Sequence, residues 1–175
     1  MFDRHVVSAL KARGFLFMQP MIREAEISDV PVIVSLLADF AAFENLSEFL
    51  TITEDDLREA MFGESSFVEG LVCDFDGETA GFAIFYPRFS SFRGQRGYYL
   101  EDIYVDSAFR GRGLGEALLR EIARKGKARG FERIDFQVLE WNFAAIEFYK
   151  ALGAVVEDED KHLKFVDDAF DRLAR

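Results

Sequence analysis

Apolar and polar positions along the chain follow two spacings, one typical of helices and the other of strands. Apolar residues that recur every three or four positions, together with capping residues and terminal glycines, indicate amphipathic helices. This spacing predicts four helices and a last helical turn, over residues 29–43, 53–63, 113–130, 142–153 and 168–175.

Short apolar runs rich in β-branched and aromatic residues separate these helices and predict strands. They cover residues 22–25, 67–75, 79–86, 98–105, 131–139, 154–156 and 162–166. The dipeptide Asp76-Gly77 predicts a tight hairpin turn between the second and third runs. The polar residues 87–97 are predicted to form a loop. Alternating helices and strands predict an α/β fold.

The length of the chain limits it to one sizeable domain. With 175 residues, two full domains would be cramped, so we predict a single domain over residues 21–175. The first 20 residues hold a short apolar patch and three basic residues without a small-residue cleavage signal. We interpret residues 1–20 as an N-terminal extension or a misplaced start.

The charge of the chain narrows the class of ligand. A formal net charge of −11 argues against general nucleic-acid binding, which needs clustered Lys and Arg, and it attracts cations such as protonated amines. No apolar run reaches the length of a membrane span. The sequence has no metal-ligand spacing, since it contains one cysteine, Cys73, and two distant histidines, His5 and His162. A single cysteine allows no disulfide within the chain and favours a reducing compartment.

The strongest chemical signal is the segment at residues 110–115, Arg-Gly-Arg-Gly-Leu-Gly, between a predicted strand and a predicted helix. Glycines let main-chain N–H groups approach a ligand, and a helix N-terminus attracts anions. We therefore predict a phosphorylated ligand. The segment lacks the Gly-Lys-Ser/Thr ending of a P-loop, and it does not fit the Gly-x-Gly-x-x-Gly fingerprint of dinucleotide-binding folds.

The arrangement Arg-x-x-Gly-x-Gly after the strand at residues 98–105 resembles the GNAT superfamily of N-acetyltransferases. Together with residues 140–142, Glu-Trp-Asn, and 148–150, Phe-Tyr-Lys, it is most similar to the diamine (spermidine/spermine) and thialysine acetyltransferases. The likeness covers about residues 21–166. It implies the GNAT fold, a central mixed and mostly antiparallel sheet that is splayed and flanked by helices.

The resemblance implies acetyl-CoA as cosubstrate, with no metal. In the family, main-chain N–H groups of the glycine loop hold the pyrophosphate, which implies that role for Arg110, Gly111, Arg112, Gly113, Leu114 and Gly115. The splayed strand pairs with the pantetheine arm, a role that falls here on Ile103, Tyr104 and Val105. Asn142 can hydrogen-bond the cofactor, although its role as a helix N-cap alone would explain it.

Two residues resemble the family's catalytic pair. Tyr149 occupies the position of the general acid, and a phenol with a pKa near 10 suits proton donation to a thiolate. Glu101 resembles the carboxylate that accepts the proton of the amine through water. By strand alternation Asp102 points to the other face, and we predict a structural role for it.

The acceptor is less well defined. Phe43 and Glu44 stand where the family has an aromatic-acidic pair for polyamines. The arginines of residues 87–97 disfavour a polycation and leave room for lysine-like amino acids, whose carboxylate could pair with Arg88 or Arg93.

We therefore predict an N-acetyltransferase that joins acetyl-CoA and a primary amine in a ternary complex. The acceptor would be a diamine, a polyamine or a lysine-like amino acid, and the protein a cytoplasmic homodimer. Two alternatives stay open at this point, a non-catalytic acyl-CoA-binding regulatory module and a protein or peptide N-acetyltransferase.

Overall fold

The structure is a computed structural model that describes residues 20–157 and 162–175. The predicted extension at residues 1–20 therefore lies outside the described part, apart from Pro20. The chain divides into two compact units, of which the first ends at Phe136 and the second begins at Gln137. The single domain predicted over residues 21–175 stays a prediction.

The first unit contains a five-stranded sheet in the order β1-β2-β3-β4-β5. Strands β1 to β4 pair antiparallel with one another, and β5 runs parallel to β4. The predicted mixed, mostly antiparallel sheet is thus confirmed. The strands are β1 (Met21–Glu24), β2 (Glu69–Phe75), β3 (Glu78–Ser90), β4 (Gln95–Val105) and β5 (Arg133–Asp135).

The helices agree with the predicted periodicity. Thr53 caps the second helix, because its hydroxyl accepts a hydrogen bond from the backbone N–H of Asp56 at 3.1 Å. None of the helices in the described ranges is long and apolar enough to cross a membrane. The helices are α1 (Val30–Phe43), α2 (Glu54–Phe62) and α3 (Leu114–Ala128) in the first unit, and α4 (Phe143–Ala151) and α5 (Asp167–Leu173) in the second.

The sheet of the first unit buries apolar side chains on both faces. One face, which includes Phe85 and Tyr98, packs against Leu118 and Ile122 of α3. The opposite face, which includes Phe82 and Tyr104, packs against α1 and α2. Because successive side chains of a strand point to opposite faces, each of the inner strands contributes to both cores.

The prediction of a polar loop over residues 87–97 is wrong. Strand β3 continues to Ser90 and β4 already begins at Gln95, so that the two form a long hairpin with a short turn. The pairs Arg88↔Gly97 and Ser90↔Gln95 extend the ladder. Pairing between β2 and β3 stops at Phe85, so Pro87 lies where β3 has no β2 neighbour, a position that tolerates proline.

The strand predictions near the C-terminus are also wrong in part. Of residues 131–139 only Arg133–Asp135 is strand, and residues 154–156 and 162–166 are irregular. Their apolar side chains are not packed as a strand requires, since Val155 and Leu163 are each 86% exposed. An apolar run alone does not supply the partner that a strand needs for its backbone hydrogen bonds.

Candidate active site

The glycine loop at residues 110–115 forms the N-terminus of α3. Gly111 and Gly113 have positive φ angles of 74° and 78°, and Gly113 is the N-cap of the helix. A Cβ atom at either glycine would meet nothing within 4 Å, so the loop is open to an incoming group. The first N–H groups of a helix have no intrahelical partner, and the helix dipole favours an anion there. The loop therefore fits a pyrophosphate.

The two arginines of the loop are held by aromatic rings. The guanidinium carbon of Arg110 lies 4.6 Å from the ring centroid of Phe43 and 5.2 Å from that of Tyr104. Its Nε donates a hydrogen bond to the backbone oxygen of Val105 at 2.9 Å. Arg112 lies 5.0 Å from the ring centroid of Phe75. Arg110 thus connects the glycine loop with the end of α1 and with β4.

Among the described residues, β4 has no strand partner beyond Tyr99 on the side away from β3, and this part of the strand is called its open edge. Its pairing with β5 covers Gly97 to Tyr99, whereas its pairing with β3 continues to Val105. The N–H of Asp106 donates to the oxygen of Ala80 towards β3. Because N–H groups alternate along a strand, those of Ile103 and Val105 point to the edge away from β3, and that of Tyr104 points to β3. Only two of the three predicted amides thus face the open edge.

A β-bulge in β4 changes the position of the two acidic residues. Ile84 pairs with Asp102 and Phe85 pairs with Leu100, so Glu101 is an extra residue on β4. The phenol of Tyr86 donates a hydrogen bond to the carboxylate of Glu101 at 3.1 Å. Strand alternation had placed Glu101 and Asp102 on opposite faces, and the bulge interrupts that alternation.

Asp102 belongs to a group of three carboxylates on the α1 face of the sheet. Burial, followed by the charges of Glu101 and Glu44, raises the pKa of the Asp102 carboxyl to about 7. Burial likewise raises the pKa of Glu44, at the end of α1. The group Glu44, Glu101 and Asp102 offers negative charge to an amine. The sequence did not identify Asp102 as part of this group, because only the bulge brings it there.

Aromatic side chains adjoin this carboxylate group. The rings of Tyr86 and Tyr99 are stacked, with centroids 5.4 Å apart, and Phe67 packs edge-on against Tyr86 at 5.9 Å. Burial and the charge of Glu101 raise the pKa of Tyr86 to about 12. The Tyr86 phenol therefore keeps its proton and remains a hydrogen-bond donor at neutral pH.

The two arginines considered for carboxylate binding lie in different places. Arg88 lies on β3, with its guanidinium carbon 5.7 Å from the ring centroid of Tyr99 and Nη1 3.3 Å from a carboxylate oxygen of Asp135. Arg93 lies in the exposed turn between β3 and β4, after the last strand pair Ser90↔Gln95. The structure brings Arg88, and not Arg93, to the stacked tyrosines.

Two predicted site residues lie in the second unit. The Asn142 side-chain oxygen accepts a hydrogen bond from the N–H of Ala145 at 3.2 Å, which makes Asn142 the N-cap of α4. Tyr149 lies on α4 with its ring centroid 5.2 Å from that of Phe148. The ring nitrogen Nδ1 of His162 lies 2.9 Å from the amide nitrogen of Gln137.

The described residues contain no group of three or more His, Cys, Asp or Glu side chains that could hold a metal ion. Cys73 is buried in β2, and burial raises the pKa of its thiol to about 11. A thiol that stays protonated at neutral pH is a poor nucleophile.

Comparison with known proteins identifies the family of the chain. The profile of the Acetyltransferase (GNAT) family matches residues 34–154. The chain is 36% identical to thialysine N-epsilon-acetyltransferase from Bos taurus, over 88% of this chain and 96% of the relative. It is 27% identical to L-ornithine N5-acetyltransferase from Arabidopsis thaliana, over 87% of this chain and 86% of the relative. An integron cassette protein from the mobile metagenome of V. cholerae has the same fold, with a TM-score of 0.73, 23% identity, and coverage of 90% of this chain and 99% of that chain.

Proposed function

Since the chain belongs to the GNAT family of acetyltransferases, we propose that it transfers the acetyl group of acetyl-CoA to the primary amine of a small molecule. One observation carries the proposal. Arg110, at the start of the glycine loop, contacts the rings of Phe43 and Tyr104. Glu44 follows Phe43, and Asp102 shares a strand face with Tyr104. The anion-binding loop and the carboxylate group are therefore neighbours.

The glycine loop would bind the pyrophosphate of acetyl-CoA through residues 110–115. Acetyl-CoA supplies an activated thioester, so the protein has to orient it and to handle protons. The N–H groups of Ile103 and Val105 would hold the pantetheine arm along the open edge of β4 and stabilise the developing oxyanion. Asn142 stays a candidate for a further contact with the cofactor.

Glu101 would accept the proton of the attacking amine. An alkyl ammonium group has a pKa near 10 and must lose a proton before its nitrogen can attack. The hydrogen bond from Tyr86 fixes the Glu101 carboxylate on the sheet. Glu44 and Asp102 would attract the ammonium form and orient it towards Glu101. Phe43 would pack against the carbon stem of the acceptor.

Tyr149 would give a proton to the leaving thiolate. Its family position and its place on α4, seven residues after the Asn142 cap, support this assignment. The amine nitrogen loses two protons in all: Glu101 takes up the first before the attack, and the second, from the nitrogen of the tetrahedral intermediate, replaces the one that Tyr149 gives to the thiolate. One proton in net then passes from Glu101 to solvent. No covalent enzyme intermediate is needed, and the two substrates would react in a ternary complex.

The acceptor we propose is a diamine, a polyamine or a lysine-like amino acid. The similar proteins named for thialysine and L-ornithine act on amino acids with a side-chain amine. The carboxylate group of the first unit suits any protonated primary amine. Arginines in the β3–β4 hairpin, Arg88 among them, disfavour long polycations and favour an acceptor that also carries an anion.

A thiol-release assay with acetyl-CoA tests this function. The panel should contain lysine, ornithine, thialysine, diamines, spermidine and a lysine-containing peptide. We expect turnover with small primary amines and initial-rate plots that intersect, as for a ternary complex. Binding of CoA without turnover of any amine would instead favour the regulatory module, and turnover of the peptide alone would favour a protein acetyltransferase.

We also propose that the protein works as a homodimer in the cytoplasm. Cys73 is the one cysteine of the sequence and is buried, which suits a reducing compartment. Sedimentation equilibrium tests the dimer directly. A single species with the mass of one chain at micromolar concentration would contradict it.

A further inference from the structure

We propose that Arg88 is the residue that selects amino-acid acceptors, by binding their carboxylate while their side-chain amine lies at Glu44, Glu101 and Asp102. The inference rests on the proposed function and specifies the acceptor for the same site. It predicts a substrate that is cationic at one end and anionic at the other.

The first support is the position of Arg88 relative to Glu101. Both groups adjoin the stacked pair Tyr86 and Tyr99, since Tyr86 donates a hydrogen bond to Glu101 and the Arg88 guanidinium lies over the ring of Tyr99. The two tyrosines therefore form a platform with a carboxylate at one end and a guanidinium at the other. Both charges act on the pKa of both phenols, which Glu101 raises and Arg88 lowers.

The second support is the length of this platform. Tyr86 and Arg88 are two residues apart on one strand, so their side chains share a face and their Cα atoms are about 7 Å apart. The Tyr86 phenol, which is hydrogen-bonded to Glu101, lies between Arg88 and that carboxylate. An extended chain of six bonds, as between the side-chain nitrogen and the carboxylate carbon of lysine, spans about 7–8 Å. The half-buried tyrosine rings can cover the apolar stem of such a molecule.

The third support is the state of the Arg88 guanidinium. It is anchored by Asp135 at 3.3 Å, yet its side chain is 45% exposed. Asp135 is also held by Arg133, whose Nε donates to it at 2.8 Å. A guanidinium has five N–H donors, and one carboxylate contact leaves others for a bidentate bond to a substrate. Asp135 thus positions Arg88 and leaves N–H donors of its guanidinium for a substrate.

The test compares an amino acid with the same molecule lacking its negative charge. Lysine and lysinamide differ only in the carboxylate, and cadaverine lacks it altogether. In the wild type we expect lysine to have a KM about 10- to 100-fold below that of lysinamide. Arg88→Gln should raise the KM of lysine by the same factor and leave that of lysinamide and cadaverine within about twofold.

Arg96→Gln is the matched control. It removes the same charge from the same hairpin, but Arg96 lies on the opposite face, over the ring of Phe131 at 4.8 Å. We expect it to leave the preference for lysine over lysinamide unchanged. CoA affinity and the circular dichroism spectrum of each variant report whether the fold is intact. Arg88→Lys should restore part of the preference, because an ammonium keeps the charge and loses the bidentate geometry.

Several results would overturn the assignment. Equal effects of Arg88→Gln on lysine and lysinamide would reduce Arg88 to a structural role. If Arg93→Gln abolished the preference for lysine over lysinamide and Arg88→Gln did not, the carboxylate would bind at Arg93 in the turn. A wild type that acetylates diamines but no amino acid would refute the inference and leave the proposed acetyltransferase intact. Failure to acetylate any amine would refute the proposed function itself.

Discussion

The phenol of Tyr86 on β3 donates a hydrogen bond of 3.1 Å to the carboxylate of Glu101, the extra residue of the β4 bulge. The bond holds the carboxylate that we propose as proton acceptor. Tyr86→Phe removes the bond and keeps the ring. We expect kcat/KM for the amine to fall about tenfold, the usual effect of losing a hydrogen bond to a charged group, with CoA affinity unchanged.

Tyr99→Phe is the comparison for this variant, since it removes a hydroxyl from the stacked partner of Tyr86 and leaves the Glu101 bond intact. Its kcat/KM should fall less. Equal losses in the two variants would show that the Glu101 bond has no special part in the reaction.

The role of the glycine loop in binding CoA can be tested by two Gly→Ala substitutions that strain the backbone equally. Gly113 and Gly77 both have positive φ, of 78° and 83°, and both have open space where a Cβ would be placed. Each Gly→Ala change should lower the free energy of unfolding by about 1–2 kcal/mol. Only Gly113→Ala should also weaken CoA binding, measured by calorimetry. Equal CoA affinities in the two variants would argue against the pyrophosphate site.

The stability of the protein should depend on pH through Asp102. The folded-state pKa of its carboxyl is raised to about 7 from an ordinary value of 3.8. Between these values the folded protein binds a proton that the unfolded chain has released, so stability falls as the pH rises from about 4 to 7. Asp102→Asn should therefore raise the Tm at pH 8, with a difference that vanishes near pH 4. A difference in Tm that is constant with pH would contradict this account.

The sequence predicted the helices well, because apolar periodicity marks them and capping residues mark the start of two of them, at Thr53 and Asn142. It predicted the turn at Asp76-Gly77 for the same local reason. It did not predict the length of the β3–β4 hairpin, because Arg88 and Ser90 are polar and are held in the strand by pairing across the ladder. Cross-strand pairing is not a local property of the sequence.

The site was predicted in part. Arg110 and Gly113 were recognised from a local motif, and the structure places them at a helix N-terminus as expected. Tyr86 was missed because its contact with Glu101 depends on cross-strand pairing, and Asp102 was missed because one extra residue in β4 brings it to the same face as Glu101. A bulge shifts every later side chain to the other face, and simple alternation cannot reveal it.

The proposed acid, Tyr149, has a kinetic signature of its own. Tyr149→Phe should lower kcat by about 100-fold or more, the usual contribution of a general acid, with little change in the Kd for CoA. The decrease should be smaller with an acyl donor whose thiol is more acidic, because that thiolate leaves without a proton. Full turnover in Tyr149→Phe would remove this residue from the mechanism.

The most direct test of the central claim is the identity of the product. The protein should be incubated with acetyl-CoA and equimolar lysine, ornithine, thialysine, cadaverine and spermidine, and the acetylated amines identified by mass spectrometry. We predict that acetyl is found on the side-chain nitrogen of an amino acid, in an amount equal to the CoA released. Release of CoA without any acetylated amine, or acetylation confined to the α-amine, would contradict the account.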